Sequence, residues 1–410
     1  MDFNDTPEEA AFRAKARTFL EATVKAKGAD KPLAQEMEGR EYLQAAKAYQ
    51  AKKAEAGFAG ITWAKEHGGQ GLPPIFNVIF NQEESKFDAP AGPFGIGLGM
   101  CIPTMIAFAS EEQKKRYVGP ALRGEEIWCQ LFSEPSAGSD VAGLKTKAVR
   151  DGDDWIVNGQ KVWTSGAHYS DFGILLVRTN PDVEKHKGLT MFFLDMKSPG
   201  VEVRPIHQMS GGSNFNEVYF TDVRIPDSQR LGEPGQGWNV ALVTLMNERL
   251  AVGGSPGPDY AEALDLARRL PSPDGKGALL QDGAFRQKLA EWFVSAEGYK
   301  LGRFRTMTAL SKGQTPGPEA SIGKILNANR LQDITSAAIE AEDHFGIIND
   351  QDLAPGEAIF QNSYMWAPGL RIAGGTDEIL KNIIAERVLG LPQDVRVDKG
   401  VAYKDLPTGR

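Results

Sequence analysis

Residues Phe132 to Ala167 read FSEPSAGSDVAGLKTKAVRDGDDWIVNGQKVWTSGA, and here the chain stops reading as helix and starts reading as sheet. Turn signals at Asp151-Gly152 and Asn158-Gly159 flank Trp155-Ile156-Val157, the punctuation of a hairpin. Beyond the stretch, short β-rich runs follow in DFGILLVRT, LTMFFLDM, VEVRPI and EVYFTDVRI. Upstream the pattern is helical. The opening DTPEEAAFRAKARTFLEATV carries Thr6 as an N-cap, Pro7 at the first helical position and Glu9 placed to close a capping box. Helical patterning continues through EYLQAAKAYQAKKAEAGF, NVIFNQEESKFDAP and MIAFASEEQKKRYVGPAL. Downstream of GEPGQG it returns in WNVALVTLMNERLAV and persists to about Leu391, with a Pro/Gly-rich loop at Pro271 to Gly283. The reading is a multidomain α+β chain: an all-helical domain over 1–124, a β-sandwich or barrel over 125–232, a helical bundle over 233–394 and a polar tail over 395–410.

With 410 residues and 41% hydrophobic composition, the chain can bury substantial cores without staples. A net charge of -8, with no long basic block, argues against nucleic acid as a partner. Two cysteines, Cys101 and Cys129, are too few for a disulfide framework or a zinc site, and both lie among apolar residues as core positions do. No metal is expected. No apolar run reaches the ~20 residues that span a bilayer, and the acidic opening MDFNDTPEEA is unlike a signal or transit peptide. The expected compartment is the cytoplasm.

Three stretches are candidates for chemistry. Gln130 to Asp140, QLFSEPSAGSD, offers small residues, hydroxyls and bare amides able to bind the edge of a flat polar ring, although composition alone favours a plain surface loop. Trp163 follows a hairpin turn; taken alone, it reads as core before it reads as a platform. Near the C-terminus, RIAGGTDEIL (371–380) joins a glycine pair to Thr-Asp-Glu, good chemistry for the first turn of a helix. A fourth signal is periodic. Trp238, Ala241, Leu245, Glu248 and Val252 recur at spacings of three and four, which puts Glu248 on an apolar stripe. A carboxyl desolvated there rises above its reference of about 4.3, as a general base for a carbon acid requires. A structural Glu, tied by an ion pair to a neighbouring helix, is the alternative.

Together, the FSEPSAGSD…KVWTSGA run and GGTDEILKNIIAERVLGLP resemble the acyl-CoA dehydrogenase family, and the resemblance covers nearly the whole chain. It implies an N-terminal helical domain, a middle β domain and a C-terminal four-helix bundle. The implied activity is FAD-dependent introduction of a double bond between Cα and Cβ of an acyl-CoA thioester, as in lipid degradation. It places Gln130, Phe132, Ser133, Gly138 and Ser139 along the flavin and the nearby CoA chain, with Trp163 matching the family's flavin-packing Trp and Ser165 the cofactor-binding hydroxyl residue two places after it. Thr376 and Glu378 fall at the cofactor's diphosphate and ribityl region. The resemblance also implies that the backbone N–H at Gly374, with a ribityl hydroxyl, polarises the thioester carbonyl.

The resemblance also breaks. Many members carry the α-proton base directly before the Gly-Thr of this turn, where this chain has Gly374. Isovaleryl- and long-chain-type members place it in a Glu-Arg pair on an earlier helix, matched here by Glu248-Arg249, with Arg249 orienting neighbouring groups. Glu248 is then the base and flavin N5 the hydride acceptor, with Asp377 and Glu378 as fallback carboxylates. Two stretches that reach a neighbouring subunit's FAD in many members read LARRLPSPDGKG and IEAEDHFGIIND here and transfer no site. Expected partners are an acyl-CoA, electron-transferring flavoprotein or a similar acceptor, and either further copies in a dimer or tetramer or a homologous second subunit. The latter would make the chain one part of a shared active site; an oxidase or monooxygenase on the same fold is a third reading.

Overall fold

The computed structural model describes residues 5–27, 39–251, 257–311 and 317–407; side chains at 248–251, 310, 311 and 320 lie outside that description. Contacts divide the chain into two units. One holds the helices and strands up to residue 251, apart from Met209–Gly211, together with the segment from Val395 onward; the other holds the helices between Val252 and Asp394.

The first unit opens with α1, Pro7–Thr23, started by the capping box that its sequence spells: the Thr6 hydroxyl accepts from Glu9 N–H and the Glu9 carboxylate accepts from Thr6 N–H. Helices α2 (Gly39–Glu55), α3 (Pro74–Glu84), α4 (Ile102–Phe108) and α5 (Glu111–Leu122) follow. Strands β1 (Trp128–Leu131), β2 (Lys147–Asp151), β3 (Asp154–Ser165), β4 (Phe172–Arg178), β5 (Leu189–Asp195), β6 (Val201–Ile206), β7 (Phe215–Pro226) and β8 (Arg230–Leu231) form one sheet. Its order is β6-β7-β3-β2-β4-β5-β8, with β1 pairing parallel to β4.

The uninterrupted apolar run of β4 has a physical reason: the sheet is covered on both faces. Ile174 and Leu176 enter one core with Met105, Val118, Trp128 and Met191, while Leu175 and Val177 enter another with Val157, Phe192 and Val218. Each fully buried Leu or Phe there contributes about 1.5–3 kcal/mol. Helix α6, Gly237–Ala251, closes over the first core through Val240 and Ala241, and its Thr244 hydroxyl pairs with that of Thr104 at 2.8 Å. Cys101 and Cys129 are fully buried, as core residues should be.

In the second unit, α7 (Tyr260–Arg269), α8 (Gly283–Ser311), α9 (Ser321–Ala341) and α10 (Ile359–Leu370) share one core built from Leu266, Phe285, Trp292, Ile334 and Phe360. The Pro271 to Gly283 stretch is a loop pinched by a bridge between Pro271 and Ala278. After α9 the chain turns at Asp343, φ +52°, into a short 3-10 segment. There Gly346 approaches the Ile339 carbonyl so closely that a Cβ would lie 2.3 Å from it. The helical, sheet and helical order matches the expected fold class. Among the described residues no helix is long and apolar enough to cross a membrane.

Candidate functional site

Gln130 is half-buried near the end of β1, Phe132 is buried, and the chain then folds back on itself through a tight turn in which Glu134 and Ala137 exchange backbone hydrogen bonds at 3.0 Å. Ser133 is half-buried, and Gly138, Ser139 and Asp140 face solvent. What fixes this loop is a buried ion pair. Lys161 Nζ reaches Glu134 Oε1 at 2.8 Å and donates to the Phe132 carbonyl at 2.9 Å; Lys161 has no exposed surface and Glu134 only 5%. Amides of Lys145 and Thr146 donate to the same carboxylate at 2.6 and 2.9 Å. Burial alone would raise the Glu134 carboxyl, but Lys161 and these donors hold it below its usual value. Burial draws the Lys161 ammonium down to about 8 despite its partner. Both groups move downward for one reason: a carboxylate with three donors is well solvated by the protein, whereas an ammonium loses more water than one carboxylate and one carbonyl replace.

Val162 N–H donates to the Ser133 carbonyl at 2.9 Å, which ties β3 directly to the loop. Immediately after Lys161 the β3–β7 register slips by one residue, and Trp163 sits in that bulge at φ +60°. The slip reverses which side chains point inward. Thr164 is buried, while Trp163 is 58% exposed, touching Phe215 edge-on at 6.0 Å. An indole in a left-handed backbone position costs about 1–3 kcal/mol, and such outliers gather at ligand sites. Trp163 is therefore not the core residue that its strand setting first suggests. Ser165, two residues on, is half-buried.

In the second unit the glycine turn takes the shape its sequence demands. Gly374 and Gly375 have φ of +63° and +91°, and Thr376 caps α11, Asp377–Ile383, by accepting from Ile379 N–H at 3.2 Å. Lys324 Nζ donates to the Gly375 carbonyl at 2.6 Å. Asp377 is buried and accepts from Arg371 Nε at 2.8 Å and Asn329 Nδ2 at 3.3 Å, so its carboxylate is committed to holding the turn. Glu378 is exposed, and its own amide and the Thr376 hydroxyl lower its carboxyl. Positions 248 and 249 belong to α6, with 248 four residues beyond the buried Thr244. The side chains of Glu248 and Arg249 lie outside the described residues.

Lys161 and Glu134 were not singled out in the sequence, although a signal existed. Trp155 and Val157 point inward, and continuing their period of two reaches Lys161. Arg178 and Tyr403 were missed as well. Arg178 ends an apolar strand, and Tyr403 lies in the segment read as a polar tail; nothing local ties one to the other.

Comparison with known proteins agrees with this architecture. Residues 6–125, 129–223 and 235–389 match, in turn, the models of the N-terminal, middle and C-terminal domains of acyl-CoA dehydrogenase. The acyl-CoA dehydrogenase IpdE1 of Mycobacterium tuberculosis is 36% identical over 87% of this chain and 91% of that protein. Acyl-CoA dehydrogenase FadE34 of the same organism is 36% identical over 83% of this chain, which spans only 45% of that longer protein. Among solved structures, the ChsE4-ChsE5 complex from M. tuberculosis superposes with a TM-score of 0.77 at 27% identity, covering 96% of this chain and 100% of the matched one. The chain belongs to the acyl-CoA dehydrogenase family.

Proposed function

We propose that the chain oxidises an acyl-CoA thioester to the 2-enoyl-CoA with FAD as cofactor. The observation that carries this reading is Trp163, an exposed indole held in a bulge beside a loop that a buried ion pair locks in place. Such a face suits a planar ring, and the exposed Gly138 and Ser139 with the half-buried Gln130 and Ser133 suit its polar edge and the adjoining CoA chain. Phe132 backs the loop from the core, and Ser165 ends the strand that carries the indole. The capped turn at Gly374–Thr376, with Glu378 on its exposed side, suits the diphosphate and ribityl end, and the Gly374 N–H is the donor for the thioester carbonyl. Bound FAD would supply the acceptor for the β-hydrogen. The chain's own part is to take the α-proton, and that task falls to Glu248, with Arg249 orienting the groups around it.

Replacing Glu248 with Gln keeps size and hydrogen bonding but removes the proton acceptor. FAD should remain bound, and substrate-induced bleaching should slow by about a hundred- to ten-thousand-fold. Normal bleaching by that variant refutes the assignment of the base. Electron-transferring flavoprotein or a similar acceptor is the oxidant to supply in turnover assays.

A second reading is favoured by LARRLPSPDGKG and IEAEDHFGIIND, which lack the family's contacts to a neighbour's cofactor, and by the two-component ChsE4-ChsE5 structure among the similar folds. In it the chain is one subunit of a hetero-oligomer and a homologous partner completes the site. Solution mass with FAD counting separates a homodimer or tetramer from this arrangement, and a monomer binding one FAD tightly contradicts both.

A further inference from the structure

We infer that residues 398–404 clamp the turn that follows Ser139 and so set how tightly the chain holds FAD; this rests on the reading of Gln130–Ser139 as the flavin loop. The segment runs beside 181–184. Tyr403 N–H donates to Val183 O at 2.8 Å, Lys404 N–H to Pro181 O at 3.0 Å and Gly400 N–H to Glu184 Oε1 at 2.7 Å. From that track it grips the turn in two places. Lys185 Nζ bridges Asp140 at 2.8 Å and Asp398 at 2.7 Å, linking turn and segment through one largely buried ammonium. At the other end, Arg178 donates to the carbonyls of Ala142 at 2.6 Å and Leu144 at 3.2 Å, and the Tyr403 hydroxyl donates to the carbonyl between them, Gly143, at 3.2 Å. Three successive carbonyls of the turn are thus held by two side chains.

Those two side chains are themselves stacked, with the Arg178 guanidinium 3.3 Å from the centroid of the Tyr403 ring. Arg178 is buried and also donates to the Lys185 carbonyl at 3.1 Å. Removing the ring therefore uncovers the group that fixes both flanks of the turn. Ser139 and Asp140 face solvent while the grip acts from behind them, so Asp398 and Tyr403 are positioning residues acting through Asp140 and Arg178.

The test uses the full chain with Tyr403→Leu, Tyr403→Phe and Asp398→Asn. Hydrogen exchange of the Gly143 and Leu144 amides, which donate to Asp140 O and Val141 O, reads the turn without cofactor. FAD titration of the apoprotein reads the consequence. Tyr403→Leu should speed exchange in 140–144 and raise the FAD Kd, each about tenfold, while exchange within β5 stays normal. Tyr403→Phe keeps the ring over Arg178 and should fall between it and wild type. Asp398→Asn should raise the Kd less, with the difference shrinking at high salt. Unchanged exchange overturns the clamp, and faster exchange with unchanged FAD affinity overturns its positioning role. A wild-type chain that takes up no FAD, alone or with a partner subunit, counts against the functional reading instead and is told apart because the exchange result does not involve FAD.

Discussion

Replacing Lys161 with Met tests whether the loop is locked as its contacts imply. At 2.8 Å the attraction between Lys161 and Glu134 is roughly 6 kcal/mol at an effective dielectric of about 20. Much of that is offset by the cost of stripping water from the ammonium, which is why its titration falls to about 8. What counts is the group left behind. The variant keeps a nearly buried Glu134 carboxylate with two amide donors and a Phe132 carbonyl without its ammonium. Removing one member of a buried pair costs about 3–5 kcal/mol. Urea denaturation of the apoprotein, followed by tryptophan fluorescence, measures the loss. A Lys161→Met protein within about 1 kcal/mol of wild type refutes the reasoning.

Trp163→Asn places a residue tolerant of positive φ in the bulge. Stability should change by less than about 1 kcal/mol as relieved strain offsets the lost contact with Phe215, while FAD affinity falls by about 5- to 150-fold, the worth of one aromatic stacking surface. Asp377→Asn breaks the pair with Arg371 and should cost about 2–3 kcal/mol of stability, leaving the rate of flavin reduction within about tenfold of normal, below what loss of a general base costs. Glu83 offers a pH prediction. Burial alone would raise its carboxyl, but hydrogen bonds from Arg17, Lys86 and Arg13 draw it down from 4.5 to about 2. Because the folded value lies below the unfolded one, its stabilisation is complete above about pH 4.5 and is lost as pH falls toward 2. The gap between wild type and Glu83→Gln in acid titrations should close over that window.

The order of helix, sheet and helix was legible because turn residues punctuate it, and the capping box at Thr6–Glu9 was legible as a local pattern. The exposure of Trp163 was not. A bulge is set by pairing with a strand some fifty residues away, and one extra residue reverses every inward and outward assignment after it. The Glu134–Lys161 lock escaped for a related reason: burial of a charge is decided by what folds over it, and each residue alone reads as an ordinary surface group. The grip on the turn by Tyr403 joins positions 260 residues apart.

The turn at Gly374 narrows where a base can come from. A residue there must hold φ +63°, which costs a non-glycine side chain about 1–2 kcal/mol, and on the proposed reading the position offers only its backbone N–H. Its two carboxylate neighbours are already committed. Asp377 holds Arg371 and Asn329 behind the turn, and Glu378 is exposed with its carboxyl lowered, the wrong direction for removing a weakly acidic proton. A carboxyl suited to that proton needs an apolar setting that raises it. On the proposed reading that carboxyl is Glu248, four residues along α6 from the buried Thr244. Gly374→Glu added to Glu248→Gln is thus the strict comparison. Any recovered rate would have to appear in a protein destabilised by about 1–2 kcal/mol, and recovery without that cost would mean that the turn had been rebuilt.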